Sequence, residues 1–285
     1  MESANLIKDL RNKTGAGFLD CKNALSETNN NLDEAVEYLR KKGLAKASKK
    51  SSREANEGAV GIYSNDKIIT IIKVNSETDF AAKSDTFLNF IDQLGNLVIK
   101  NNNLNMNRED LMNLNFEDNS VSDYFKSMIA KIGENLVLNE LLIFPNQNNN
   151  FSFYIHNSYR NNIGKIVSLI RYKTDDNKDE IKNLSKNLCM HVAAMKPESI
   201  DISDLDTKII DNEKKIQKEL ILSSGKPEKI AEKILDGKMN KFYSEITLMN
   251  QNFVLDPEKT VKQVIDDFNK KYSFELINFK LFTLN

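Results

Sequence analysis

Covalent chemistry in this chain would rest on very few side chains. There are two histidines, His156 and His191, and two cysteines, Cys21 and Cys189. Neither histidine stands in a pattern with Cys or Ser that suggests a nucleophile and its base. The string C-x-x-C is absent, and so is H-E-x-x-H, so no metal ligand set is legible. No G-x-x-x-x-G-K-[ST] or G-x-G-x-x-G loop exists to cradle a phosphate. Ser224-Gly225-Lys226-Pro227 comes nearest, yet Pro227 lacks the backbone amide such a loop would use, so the string reads as a turn between helices. These residues favour a binding protein over an enzyme, with no cofactor and no metal expected.

Binding chemistry has better candidates. Asp79-Phe80 falls where a strand ends and a helix begins, a place where a tip can project. The bland alternative is that Phe80 is the first core residue of its helix and Asp79 the N-cap. Phe18, Leu19 and Lys22 open a short helix; they could dock on a partner or only close a bundle. Ile132-Gly133 reads as a helix end with its expected glycine. His156 reads as a strand histidine, His191 as packing on a helix face, and Val254-Leu255 as strand core with a minor contact role.

The elements that must hold these residues follow from periodicity. Leu6, Ile7 and Leu10, then Leu19, Cys21, Ala24 and Leu25, then Leu32, Ala35, Val36 and Leu39 give three short apolar stripes at helical spacing. Thr14-Gly15-Ala16-Gly17 and Asn29-Asn30-Asn31 separate them. The basic stretch from Lys46 to Arg53 has no apolar period and reads as a linker or a frayed helix end, with an RNA-binding arm as the sharper alternative. Gly58–Tyr63 and Lys67–Val74 read as a β-hairpin around Ser64-Asn65-Asp66, followed by a helix through Phe87, Phe90, Ile91, Leu94, Leu97 and Val98. Tyr124–Ile132 reads as a helix and Leu136–Phe144 as a strand. Strands at 151–156 and 163–172 around a loop at 157–162, then a helix from Ile181 to before Pro197, repeat the hairpin-and-helix plan. That recurrence predicts an internal duplication. Residues 204–243 read as a charged αα-hairpin, and Phe253–Phe282 as mixed helix and strand.

The 285 residues suit two or three domains, with enough apolar material, 40%, for a real core. Forty Lys and Arg oppose 41 Asp and Glu, so a general nucleic-acid coat is excluded and no direct nucleic-acid partner is expected. No apolar stretch approaches the ~20 residues of a membrane span, and the N-terminus lacks a signal-peptide core. Two distant cysteines point to a reducing cytoplasm.

Five strings carry a resemblance. Residues 10–25, LRNKTGAGFLDCKNAL, resemble L-R-x-x-T-G-A-G-M-M-D-C-K-x-A-L of the bacterial elongation factor Ts family. Residues 77–83, ETDFAAK, resemble that family's T-D-F-V-A-[RK]; KIGEN at 131–135 and HVAAMKP at 191–197 match it; residues 224–245 resemble its helical-hairpin signature. All stand in order over nearly the whole chain.

The resemblance implies an α+β fold: a ubiquitin-associated-type three-helix module with a basic linker (1–52), a core of two duplicated subdomains with antiparallel sheets (53–140, and 141–203 with 246–285), and a protruding antiparallel hairpin (204–245). It implies a guanine-nucleotide exchange factor that binds elongation factor Tu, with no covalent reaction of its own. The contacts it implies are Phe18, Leu19, Lys22, Asp79, Phe80, Ile132, Gly133, His156, Val254 and Leu255. Phe80 would be a wedge that disturbs the partner's magnesium site. The hairpin is open as a homodimer surface or an extra partner contact. An interaction scaffold using only the three-helix module is the rival reading. Phe18-Leu19 replaces the family's Met pair, and Asn139-Glu140 replaces its Arg-Arg, so ion pairs of those arginines are not carried over. The family's H-G-G-R-I-G is lengthened here between His156 and Gly164, and a further C-terminal helix of many members is not expected after Phe282.

Overall fold

Three short helices begin the chain: α1 (Glu2–Thr14), α2 (Phe18–Glu27) and α3 (Leu32–Lys50). The computed structural model describes residues 2–117, 119–146, 150–175, 178–223 and 228–284. Asn31 caps α3 by accepting the amides of Asp33 and Glu34. Ile7, Leu10, Cys21, Ala24, Leu25, Ala35 and Leu39 close a small core, as the three stripes predict. The basic stretch is helix through Lys50 and not a linker. Apolar residues of a longer helix explain this, since Ala47 is buried against the next part of the fold.

The chain divides into two units, Met1–Gln147 with Asn157–Ile166 and Thr283–Asn285, and Asn148–His156 with Val167–Phe282. In the first, β1 (Glu57–Ser64) and β2 (Ile68–Ser76) form an antiparallel hairpin, and β2 is buried along its whole length. The short α4 (Asp79–Ala82) leads into α5 (Asp85–Asn101), whose Phe87, Phe90, Ile91, Leu94 and Val98 fill the core. Next come α6 (Arg108–Asn113), a two-residue pair β3 (Asn115–Phe116) and β4 (Asn119–Ser120), and α7 (Val121–Ile132). β5 (Leu136–Pro145) then pairs antiparallel with β2. α3 lies along α7, close enough that a Cβ on Gly43 would stand 3.0 Å from the Ala130 methyl.

β6 (Asn150–Arg160) and β7 (Ile163–Lys173) pair with each other. The expected loop at 157–162 is therefore wrong: the strand continues to Arg160, and only Asn161 and Asn162 turn. Arg160 explains the extension. Its guanidinium reaches α5, bonding Asp92 at 2.8 Å, Asn89 at 2.7 Å and Asp85 at 3.0 Å. Ile163 and Gly164 pair with β1 in the first unit.

In the second unit α8 (Asp179–Met195) packs Leu184, Leu188 and Val192 into a core with Ile170, Leu248 and Phe253. α9 (Thr207–Ser223) and α10 (Glu228–Ile246) follow; the turn read at Ser224–Pro227 lies outside the described residues. A two-strand ribbon, β8 (Asn252–Phe253) and β9 (Asp256–Thr260), leads to α11 (Val261–Phe268) and to β10 (Glu275–Phe282), which pairs antiparallel with β7. The fold is α+β with antiparallel sheets, and each unit holds a hairpin followed by a helix.

Candidate functional site

Two strings 54 residues apart in sequence meet in the first unit. β2 ends at Ser76 and β5 begins at Leu136, and these two residues are paired in the ladder. The residues just beyond that rung are Glu77-Thr78 on one side and Glu134-Asn135 on the other. Each glutamate bonds the amide that follows the other. Glu77 Oε1 accepts the Asn135 N–H at 2.6 Å, and Glu134 Oε2 accepts the Thr78 N–H at 2.9 Å. Glu134 Oε1 also accepts the Thr78 hydroxyl at 2.7 Å. Bonds from amides to carboxylates are stronger than neutral ones.

Thr78 is the N-cap of α4, with Oγ1 accepting the Ala81 amide at 3.2 Å. The reading of Asp79 as N-cap is corrected. Asp79 is the first helical residue, and its carboxylate accepts from Lys83 Nζ at 2.7 Å. That hydrogen bond holds the Asp79 carboxyl below the ordinary range. Phe80 is 84% exposed, so it is not the first core residue of its helix; Ala81 and Ala82 take that role.

The other end of the clamp carries Ile132 and Gly133. Gly133 closes α7 at φ +87°, a left-handed backbone that favours glycine, and its amide bonds the Ile129 carbonyl. Its own carbonyl accepts from Lys50 Nζ at the end of α3. Asn135 Nδ2 donates to the Arg53 carbonyl at 2.7 Å. The segment joining the three helices to the sheet is thereby tied to the same corner. Ile132 is half-buried against the core.

Phe18 and Leu19, at the N-terminus of α2, are 56% and 70% exposed, and Lys22 one turn on is exposed. The bundle closes without them, on Cys21, Ala24 and Leu25. His156 is exposed on β6, with Nδ1 3.3 Å from the Tyr154 hydroxyl. Val254 and Leu255 are not strand core: they form the turn between β8 and β9, exposed by 40% and 52%. Phe253 takes the core position beside them. These three residues belong to the second unit, the other seven to the first.

His191 is packing, as its helix face predicts. It is fully buried, with Nε2 3.0 Å from Gln251 Oε1, and burial pushes its pKa down. Both cysteines are free and buried, and burial raises the Cys189 thiol well above its ordinary value. Glu140 makes an ion pair with Lys73 at 3.3 Å. Among the described residues no group of three or more His, Cys, Asp and Glu side chains could hold a metal, and no helix is long and apolar enough to cross a membrane.

Reading the sequence missed the roles of Thr78, Glu77 and Glu134. A threonine before Asp79 is a legible cap signal. Nothing local links residue 77 to residue 134; only the β2–β5 register does.

The family model described as Elongation factor TS matches residues 77–285. Elongation factor Ts of Rickettsia prowazekii is 40% identical over 276 residues, covering 96% of this chain and 88% of that protein. The Sinorhizobium fredii protein of the same name is 37% identical, covering 94% and 87%. That of Syntrophotalea carbinolica is 36% identical, covering 96% and 89%. A chain with this α+β architecture, this match over most of its length and relatives so similar end to end belongs to the elongation factor Ts family.

Proposed function

We propose that this chain binds elongation factor Tu carrying GDP and drives release of the nucleotide. Family membership supports the partner, and the exposure of Phe80 on a clamped tip carries the mechanism. An exchange factor needs no reacting group. It must bind the nucleotide-free partner more tightly than the nucleotide-bound one. That difference is a reciprocal coupling free energy, so incoming nucleotide weakens the factor's hold by the same factor. A large aromatic side chain held out from the surface suits this purpose, because it can fill a gap that exists only when the nucleotide site is disturbed. In this reading Phe80 is the wedge that disturbs the partner's magnesium site, with Asp79 beside it.

Ile132 and Gly133 lie on the same clamped corner and provide a second contact. Phe18, Leu19 and Lys22 provide an apolar dock with a flanking cation. His156, Val254 and Leu255 are contacts offered by the second unit. The chain works in the cytoplasm, with elongation factor Tu as its partner and without a cofactor. The deciding experiment is release of labelled GDP from elongation factor Tu with and without this chain: acceleration at substoichiometric chain supports exchange. The exposed Phe18-Leu19 pair favours one second reading, a scaffold that binds through the three-helix module. It predicts binding with an unchanged nucleotide off-rate.

A further inference from the structure

The position of Phe80 is not explained by its own packing. At 84% exposure the ring has almost nothing to rest on. Its direction must come from the backbone that carries it. That backbone is a helix of four residues, too short to hold itself by internal hydrogen bonds. Its order therefore rests on the burial of Ala81 and Ala82 and on the bonds at its ends. At the C-terminal end Ser84 Oγ donates to the Ala81 carbonyl at 2.8 Å. At the N-terminal end Asp79 is bonded to Lys83 through its carboxylate and its carbonyl, and the caps come from Thr78. The Thr78 carbonyl accepts from Ala82 at 3.2 Å, and the Thr78 hydroxyl oxygen accepts from Ala81 at 3.2 Å.

A threonine hydroxyl has one hydrogen, and it can cap only while a lone pair faces the helix. Glu134 takes that hydrogen at 2.7 Å, which leaves the lone pairs to the Ala81 amide. The same carboxylate takes the Thr78 N–H at 2.9 Å. Two donors of one residue are thus held by two oxygens of one side chain, an arrangement that fixes rotation as well as position. We infer that Glu134 is a positioning residue, whose grip on both donors of Thr78 aims the Phe80 tip. The inference rests on the exchange reading only for its consequence, not for the geometry. The 131–135 string then has two roles, since Ile132 and Gly133 offer a contact of their own while Glu134 orients a different contact 54 residues earlier.

The chain contains no tryptophan, so Phe80→Trp places a single emitter at the tip. Time-resolved anisotropy of that variant alone, without partner, reads how freely the tip moves on the nanosecond scale. Adding Glu134→Ala is expected to raise the amplitude of the fast component about twofold. Adding Glu134→Gln is expected to give an intermediate amplitude, since its amide oxygen can accept the Thr78 N–H while its amide nitrogen only donates and cannot take the hydroxyl hydrogen. In the chain with Phe80 intact, Glu134→Ala should lower maximal GDP release at saturating factor about fivefold, about 1 kcal/mol. The concentration for half-maximal release should move less. An indole equally immobile with and without Glu134→Ala overturns the inference, whatever the release rate. A loosened indole with unchanged release upholds the aiming by Glu134 and overturns instead the part given to Phe80 in exchange.

Discussion

His191 Nδ1 accepts the backbone N–H of Val254 at 3.2 Å, so the turn that exposes Val254 and Leu255 hangs from a buried ring. The other ring nitrogen faces Gln251 Oε1 at 3.0 Å. Gln251 Nε2 donates to the carbonyls of Glu245 and Met195, which leaves Oε1 as an acceptor. The ring is therefore neutral, with its proton on Nε2. Protonating Nδ1 would cost the Val254 bond.

The sign of the pH dependence follows. Burial lowers the folded-state pKa of His191 below its unfolded value of about 6.5. Between those two values the unfolded chain binds a proton that the folded chain refuses. Stability contributed by the neutral ring is complete above about 6.5 and is lost as pH falls toward the folded pKa, by at most about 1.4 kcal/mol per pH unit. Denaturant titrations of the parent and of His191→Gln between pH 7.5 and 5 check this. The variant should lack that part of the slope, and equal slopes would remove His191 as the source. The Val254 amide resonance should stay constant while pH is above the folded pKa and shift only as pH falls through it.

How legible this was depends on whether a residue acts through its neighbours in sequence. The stripes at Phe87, Phe90, Ile91 and Leu94, and the alternation of hairpin and helix, are local patterns, and each became the element its period predicts. Gly133 was legible because helix ends favour glycine. The 157–162 loop was not, because Arg160 is held in strand by Asp85, Asn89 and Asp92 on a helix about seventy residues earlier. Val254-Leu255 reads as strand core because an apolar pair beside Phe253 fits either a strand or a turn; the choice belongs to His191. Phe80 shows the limit most plainly. An aromatic residue at the start of a helix is ordinarily core, but here Ala81 and Ala82 take the buried positions.

The exposed pair on α2 predicts a split between affinity and rate. Phe18→Asp or Leu19→Asp should leave the melting temperature within a few degrees of the parent, because the bundle core does not use these side chains. Binding to elongation factor Tu should weaken about tenfold or more if a charge is buried at an apolar contact. Maximal release at saturating factor should change much less. Titration calorimetry and GDP release on the same variants read both quantities, and unchanged affinity in both would exclude this pair from the interface.

The helical pair α9 and α10 should be dispensable for basal release. Its exposed apolar residues Ile209, Ile216 and Leu220 run along α9, and the helix carries no residue clamped outward as Phe80 is. Removing 204–243 and bridging the ends is expected to leave a folded chain that still releases GDP. Sedimentation and partner affinity of that variant tell a self-association surface from an extra partner contact. Complete loss of release from a folded deletion would show that the pair takes part in the exchange step.

Phe80→Ala separates the wedge from every structural role. Burying a phenylalanine contributes about 1.5–3 kcal/mol, and here none of it is realised in the free chain, where the ring is 84% exposed. Truncation should therefore leave stability within about 0.5 kcal/mol of the parent, as for other surface positions. A phenylalanine in the core would instead lose about 3–5 kcal/mol on truncation. The missing energy should appear only in the complex with the nucleotide-free partner, where the gap is open. Stimulated GDP release should slow about tenfold or more, one decade being about 1.4 kcal/mol. Thermal unfolding and release are measured on one preparation. A stable Phe80→Ala chain that releases GDP at the parental rate would leave the ring as an exposed aromatic without a part in exchange. Slow release from an unchanged fold would fix the wedge at this residue.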